Sequence, residues 1–162
     1  MKITLLQITE EQFYRLTMPV LFNDIKTSRS FSTITNGVRY FKFAWQSDLI
    51  TPVITEIDTA IYSIGIDQSF VVIDFNKNSV PLNLNLPYIY YDTKLFKDWL
   101  FIITELEIIR IDKMTFQGQK EYILPDLFED IKLSDDSAEV KCMNAFYMTK
   151  KGLTCGEGHH VR

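Results

Sequence analysis

The segment from Ile61 to Leu124 carries one pattern twice, and that duplication limits the folds open to this chain more than any single motif does. With the sequence displaced against itself by 38 positions, Ile64 falls on Ile102, Phe70 on Ile108, Val71 on Ile109, Ile73 on Ile111, Asp74 on Asp112 and Leu86 on Leu124. Each copy holds two apolar, β-branched runs joined by a tight polar turn, the signature of an antiparallel hairpin with a buried face. Traces of the period extend outward: Ser30-Phe31 stands 39 positions before Ser69-Phe70, and Phe146 stands 38 after Ile108. Either four related β units follow one another, or the outer matches are coincidences among common Ile and Phe residues.

The expected fold is therefore mainly β, built from antiparallel hairpin or meander repeats of about 38 residues, with one short N-terminal helix. Repeats of this length resemble the blades of a β-propeller. The chain lacks the Trp-Asp and Gly-His signatures of common blades, so a propeller-like sheet stack and a β-sandwich both fit. Thr9 and Gln12 form a capping box around Glu10 and Glu11, which predicts a helix from Glu10 to Leu16 that Pro19 ends. Asn36-Gly37 predicts a type I′ hairpin turn, with Arg39, Phe41, Phe43 and Trp45 on the core side of the second strand. Further strands are expected over 53–57, 60–66, 70–75, 80–86, 99–104, 107–112, 120–124, 131–133 and 138–149, with 125–130 as an acidic loop or one helical turn.

At 162 residues, 46% of them apolar, the chain can bury a sizeable core as a single globular domain, 1–162, with a flexible tail after Gly152. A net charge of −4 disfavours nucleic acid as a partner, since phosphates would be repelled on average. No apolar window reaches the roughly 20 residues of a membrane span, and the N-terminal apolar run is too short for a signal peptide. The expected location is cytoplasmic. There Cys142, within an apolar run, reads as a buried free thiol.

Several residues could carry chemistry, each with a bland alternative. Glu105 and Glu107 flank Leu106 at a hairpin turn, where strand spacing would put both carboxylates on one face, as acid-base catalysis needs; solvated turn residues look the same. Cys155, Glu157, His159 and His160 offer metal-binding groups, but adjacent histidines suit one tetrahedral site poorly, so no metal or other cofactor is expected. These are the only histidines, and no G-x-S-x-G, Walker or G-x-G-x-x-G motif occurs, which disfavours nucleophilic and phosphate-handling enzymes. No catalytic residue is assigned. Tyr88, Tyr90 and Tyr91 lie in the run Pro87 to Asp92, which reads either as a binding surface or as an alternating strand. Asp126, Glu129, Asp130, Asp135, Asp136 and Glu139 fall within fourteen residues opposed only by Lys132. They form either a solvated loop or a surface that steers a basic partner.

The doubled pattern Ile64-Gly65-Ile66-Asp67 to Val72-Ile73-Asp74 and Ile102-Ile103-Thr104-Glu105-Leu106-Glu107 to Ile111-Asp112, in a small acidic chain without catalytic motifs, resembles the small bacterial immunity proteins of toxin and contact-dependent growth inhibition systems. Such proteins share a role rather than a motif. The resemblance implies a non-catalytic, stoichiometric inhibitor that occludes a cognate basic, nuclease-type toxin. Asp126, Glu129, Asp130, Asp135 and Asp136 would then supply charge, Tyr88, Tyr90 and Tyr91 anchors, and Glu105 and Glu107 further contacts. Alternatives are a scaffold subunit of a complex and a carboxylate-dependent carbohydrate-acting enzyme.

Overall fold

The computed structural model describes residues 2–24, 26–135 and 137–143, together with the backbone of 145–150. Its elements are β1 (Thr4–Ile8), α1 (Glu10–Arg15), β2 (Ser30–Thr35), β3 (Tyr40–Trp45), β4 (Val53–Asp58), β5 (Ile61–Ile66), β6 (Ser69–Asp74), β7 (Ser79–Asn85), β8 (Tyr90–Phe96), β9 (Trp99–Thr104), β10 (Glu107–Asp112), β11 (Lys120–Ile123), β12 (Phe128–Leu133), β13 (Ser137–Cys142) and β14 (Ala145–Lys150). They form four meander sheets in chain order: β1 to β3, β4 to β7, β8 to β11, and β12 to β14. The fold is mainly β with antiparallel sheets and one short helix, as the repeat required.

The period is real beyond its central copies. Strands β2, β6, β10 and β14 begin at Ser30, Ser69, Glu107 and Ala145, steps of 39, 38 and 38. Backbone hydrogen bonds repeat with it. Leu86 N–H donates to Gln68 C=O as Leu124 does to Leu106, Tyr90 to Asp67 as Phe128 does to Glu105, and Phe75 to Ala60 as Lys113 does to Asp98. The turns repeat too: Asn36, Asp74 and Asp112, each 38 apart, use one side-chain oxygen to accept the N–H groups two and three residues ahead. A short acceptor side chain at a strand end can close a turn without distant partners.

Residues 1–90 and 91–162 form two compact units. In the first, Ile34, Phe41, Phe43 and Trp45 pack against Tyr62, Ile64, Ile66, Val71, Ile73 and Phe75, with the Phe41 and Phe75 rings 5.6 Å apart. Arg39 lies in the turn, outside β3. The other face of the first sheet is also covered, by α1, whose Phe13 meets Phe31 and Ala44. Lys42 lies on that face, only 7% exposed. Its ammonium donates to the carbonyls of Phe13 at 2.6 Å and Leu16 at 2.7 Å, satisfying the carbonyls that the end of a helix leaves open. In the second unit, Phe101, Ile103, Ile108, Tyr122 and Leu124 pack against Ile131, Ala138, Val140 and Cys142.

Some local expectations change. The capping box is present and α1 ends at Arg15, one residue early. The Asn36-Gly37 hairpin forms, but its turn is not type I′: Thr35 pairs with Tyr40, leaving four residues between, and of these only Gly37 has positive φ. Strand β1 was not anticipated. Strand β12 begins inside the stretch read as an acidic loop, and 138–149 is two strands rather than one. Cys155, Glu157, His159 and His160 lie outside the described residues, as does the tail beyond Gly152.

Candidate functional site

The structure sorts the candidate residues into three places. The first is a patch on the second unit. Tyr91, at the start of β8, is 57% exposed, and its ring meets Phe128 edge-on at 5.3 Å. Beside Phe128 lie Leu127, 41% exposed, and Met143, 64% exposed, tied together by the Met143 N–H to Leu127 C=O bond of 2.9 Å. The register explains the grouping, because Phe128 pairs with Cys142 and brings the β13 end beside the β12 start. Asp126, Glu129 and Asp130 surround this apolar centre in the chain.

Those carboxylates are less alone than the sequence indicates. Glu129 forms an ion pair with Lys141, Asp135 pairs with Lys97 at 2.9 Å, and Lys132 stands opposite Glu139 in register. Asp126 and Asp130 accept the N–H groups of Leu127 and Ile131, at 2.7 and 2.8 Å. The expectation that Lys132 alone opposes the acidic set is thus corrected: strand pairing and the β8–β9 turn bring in Lys141 and Lys97. Asp136 lies outside the described residues.

The tyrosines separate. Tyr90 is buried, its ring 6.0 Å from Phe70 and so close to Gly65 that a Cβ there would sit 2.3 Å from it. Tyr88 is half-buried ahead of β8, and Tyr91 alone of the three is an exposed strand residue.

The two glutamates also separate. Glu105 sits in the turn and its carbonyl accepts Phe128 N–H at 2.8 Å; Glu107 opens β10 at 2% exposure with Oε2 unpartnered. The reading of Glu107 as a solvated turn residue is corrected. Burial first, and the Glu121 charge second, push its carboxyl above the usual range. Its charged neighbour is therefore Glu121, a residue the spacing argument did not single out, on the strand paired with β10.

The third place is a cleft of about 140 Å³ in the second unit, lined by Phe96, Trp99, Phe101, Arg110 and Asp135 among others. Neither Trp99 nor Arg110 stood out as a functional residue in the sequence. The available signal was positional: Arg110 interrupts Ile108 to Ile111 where the first copy has Val72. Among the described residues no group of three or more metal-binding side chains comes together, and no helix is long and apolar enough to cross a membrane.

No family model matches the sequence, and neither does any curated protein. Among solved structures the chain is similar to Hsv2 of Kluyveromyces lactis, at 14% identity and TM-score 0.40, covering 63% of this chain and 34% of that one. It is also similar to HIRA(644-1017), at 12% identity and TM-score 0.44, covering 93% of this chain and 56% of that one. Both neighbours are β-propeller proteins, and this chain spans about a third of the first and just over half of the second. Likenesses this distant assign no residue a role.

Proposed function

We propose that this chain is a non-catalytic protein-binding module that docks through the Tyr91, Leu127 and Met143 patch. The observation that carries this reading is the patch itself: an aromatic, an aliphatic and a thioether side chain, all exposed, Tyr91 on β8 and Leu127 and Met143 at the adjoining ends of the paired strands β12 and β13, with carboxylates alongside. Aromatic and Met side chains supply large contact area, and a polar rim excludes water around them. At the finer level the partner is a basic protein toxin, which Asp126 and Asp130 would help to steer, and the outcome of binding is occlusion of the toxin's active site.

The test is co-expression with the product of the adjacent reading frame, followed by measurement of stoichiometry and association rate. A one-to-one complex that protects the host from that product, associates more slowly at higher salt, and loses about 30-fold or more in affinity with Tyr91→Ala and Leu127→Ala is expected. Full protection retained after both truncations would overturn the docking site. An association rate and salt dependence left unchanged by Asp130→Lys would overturn the charge argument. A scaffold role is the second reading, favoured by β1: it pairs with β2 on one side only among the described residues and presents exposed Leu5 and Leu6, an open edge that another strand could extend.

A further inference from the structure

The cleft of the second unit contains an unmet demand for negative charge, and it lies apart from the patch described above in the residues it uses. Arg110 lines it, with the guanidinium stacked on Trp99 at 4.2 Å. Its Nε is buried and finds no acceptor. Directly across the strand pair, on the same face, the partner of Arg110 is Lys120, and Lys97 lies on the cleft wall. The one carboxylate among the lining residues, Asp135, is already paired with Lys97. Two cations thus share the cleft with one anion, and a third stands opposite Arg110 on the paired strand, in a chain whose net charge is −4. Like charges opposed across a strand pair are unfavourable, and a buried donor without an acceptor costs more than an exposed one. Val72, the matching residue of the first copy, shows that the sheet has no structural need of a cation at this position.

We propose that the cleft binds a single carboxylate carried on a short apolar stem. The Arg110 guanidinium receives the oxyanion, the faces of Trp99, Phe96 and Phe101 enclose the stem, and Asp135 competes with the ligand for Lys97. A guanidinium presents its donors as a planar fork that matches a carboxylate. The volume of about 140 Å³ admits a group the size of an acidic side chain. A phosphate dianion fits less well, because its second charge would face Asp135.

The full chain, labelled with ¹⁵N, is titrated with propionate, with a blocked Gly-Glu-Gly tripeptide and with inorganic phosphate, while the indole N–H of Trp99 and the Nε–H of Arg110 are followed by NMR. Saturable shifts at both signals are expected with propionate or the tripeptide. Response to the tripeptide alone identifies a polypeptide side chain as the ligand, and response to propionate alone identifies a free acid. Arg110→Met, which keeps the apolar stem, is expected to weaken binding at least tenfold, and Asp135→Asn, at an exposed position, to strengthen it severalfold. Failure of both carboxylates to shift the two signals would overturn the proposal, as would tighter binding of phosphate or affinity unchanged by Arg110→Met. If Arg110→Met does not fold, Asp135→Asn decides: unchanged or weakened binding rejects the site.

Discussion

The hairpins β5–β6 and β9–β10 are the same object made twice, and their differences are as informative as their agreement. Ile64 and Ile102, Val71 and Ile109, and Ile73 and Ile111 are all buried at matching positions, and Asp74 and Asp112 close matching turns with matching bonds. These positions build the sheet. Other positions diverge, among them Ile61 against Trp99, Gly65 against Ile103, Ser69 against Glu107, and Val72 against Arg110. Ile61 against Trp99, Ser69 against Glu107 and Val72 against Arg110 place an indole, a buried carboxyl and a guanidinium in the second unit where the first has aliphatic groups or a hydroxyl. Repetition supplies the framework, and departures from repetition supply the unusual chemistry.

Forcing the two copies to agree tests this directly. The largest effect is expected from Gly65→Ile, which installs the residue of the second copy: its Cβ would fall 2.3 to 2.5 Å from the ring atoms of buried Tyr90, and overpacking of this kind costs about 3 kcal/mol or more. In the second copy, truncating the matching residue by Ile103→Ala leaves a cavity and is expected to cost roughly 2–5 kcal/mol; urea unfolding measures both, and near-neutral Gly65→Ile would show that the ring yields. Next in size, Asp74→Ala strips a buried acceptor from the N–H groups of Asn76 and Lys77, for an expected loss of about 1–3 kcal/mol.

Glu107 and Asp112 should then respond to pH with opposite signs. Glu107 has a raised pKa in the folded chain, so at pH between the ordinary and the folded value the folded form holds a proton that the unfolded chain has released. Its contribution is fully present below the ordinary value near 4.5 and is lost as pH rises through the folded pKa. Glu107→Gln should therefore gain stability relative to the parent as pH is raised from 4 to 8, and an unchanged difference across that range would rule out the buried acid. Asp112 has a lowered pKa, chiefly through the Thr115 N–H and hydroxyl. Its contribution is present above the ordinary 3.8 and disappears as pH falls through the folded value. The smallest effect belongs to Asp112→Asn, which keeps the acceptor that Asn36 already uses at the matching turn. It should leave the midpoint at pH 7 nearly unchanged, whereas Asp112→Ala should lower it.

Much of this was readable in the residues. Strands β9 and β10 were placed by their Ile-rich runs, since both are buried along most of their length: β9 is nearly continuous in apolar residues, and in β10 Glu107 and Asp112 bracket the run that Arg110 interrupts. The capping box placed α1 for an equally local reason. Strand β12 escaped because Glu129, Asp130 and Lys132 lie exposed along it, so its solvent side resembles a loop. The acidic set looked unopposed because Lys97 and Lys141 are distant in sequence and become neighbours only through the sheet. Glu105 and Glu107 were grouped by spacing alone, and the turn between β9 and β10 breaks that grouping. Arg110 could not be recognised as unmatched without knowing that its strand neighbours are Phe101 and Lys120.

The thiol of Cys142 lies beneath the second unit at 1% exposure. Burial pushes its pKa up, and the Asp126 N–H offsets this only in part. Alkylating reagents attack thiolates, so this sulfur stays silent for as long as its own sheet remains closed. No cysteine occurs in residues 1–90. The rate at which the peptide containing Cys142 acquires a label is consequently a clock for the opening of the sheet that buries it.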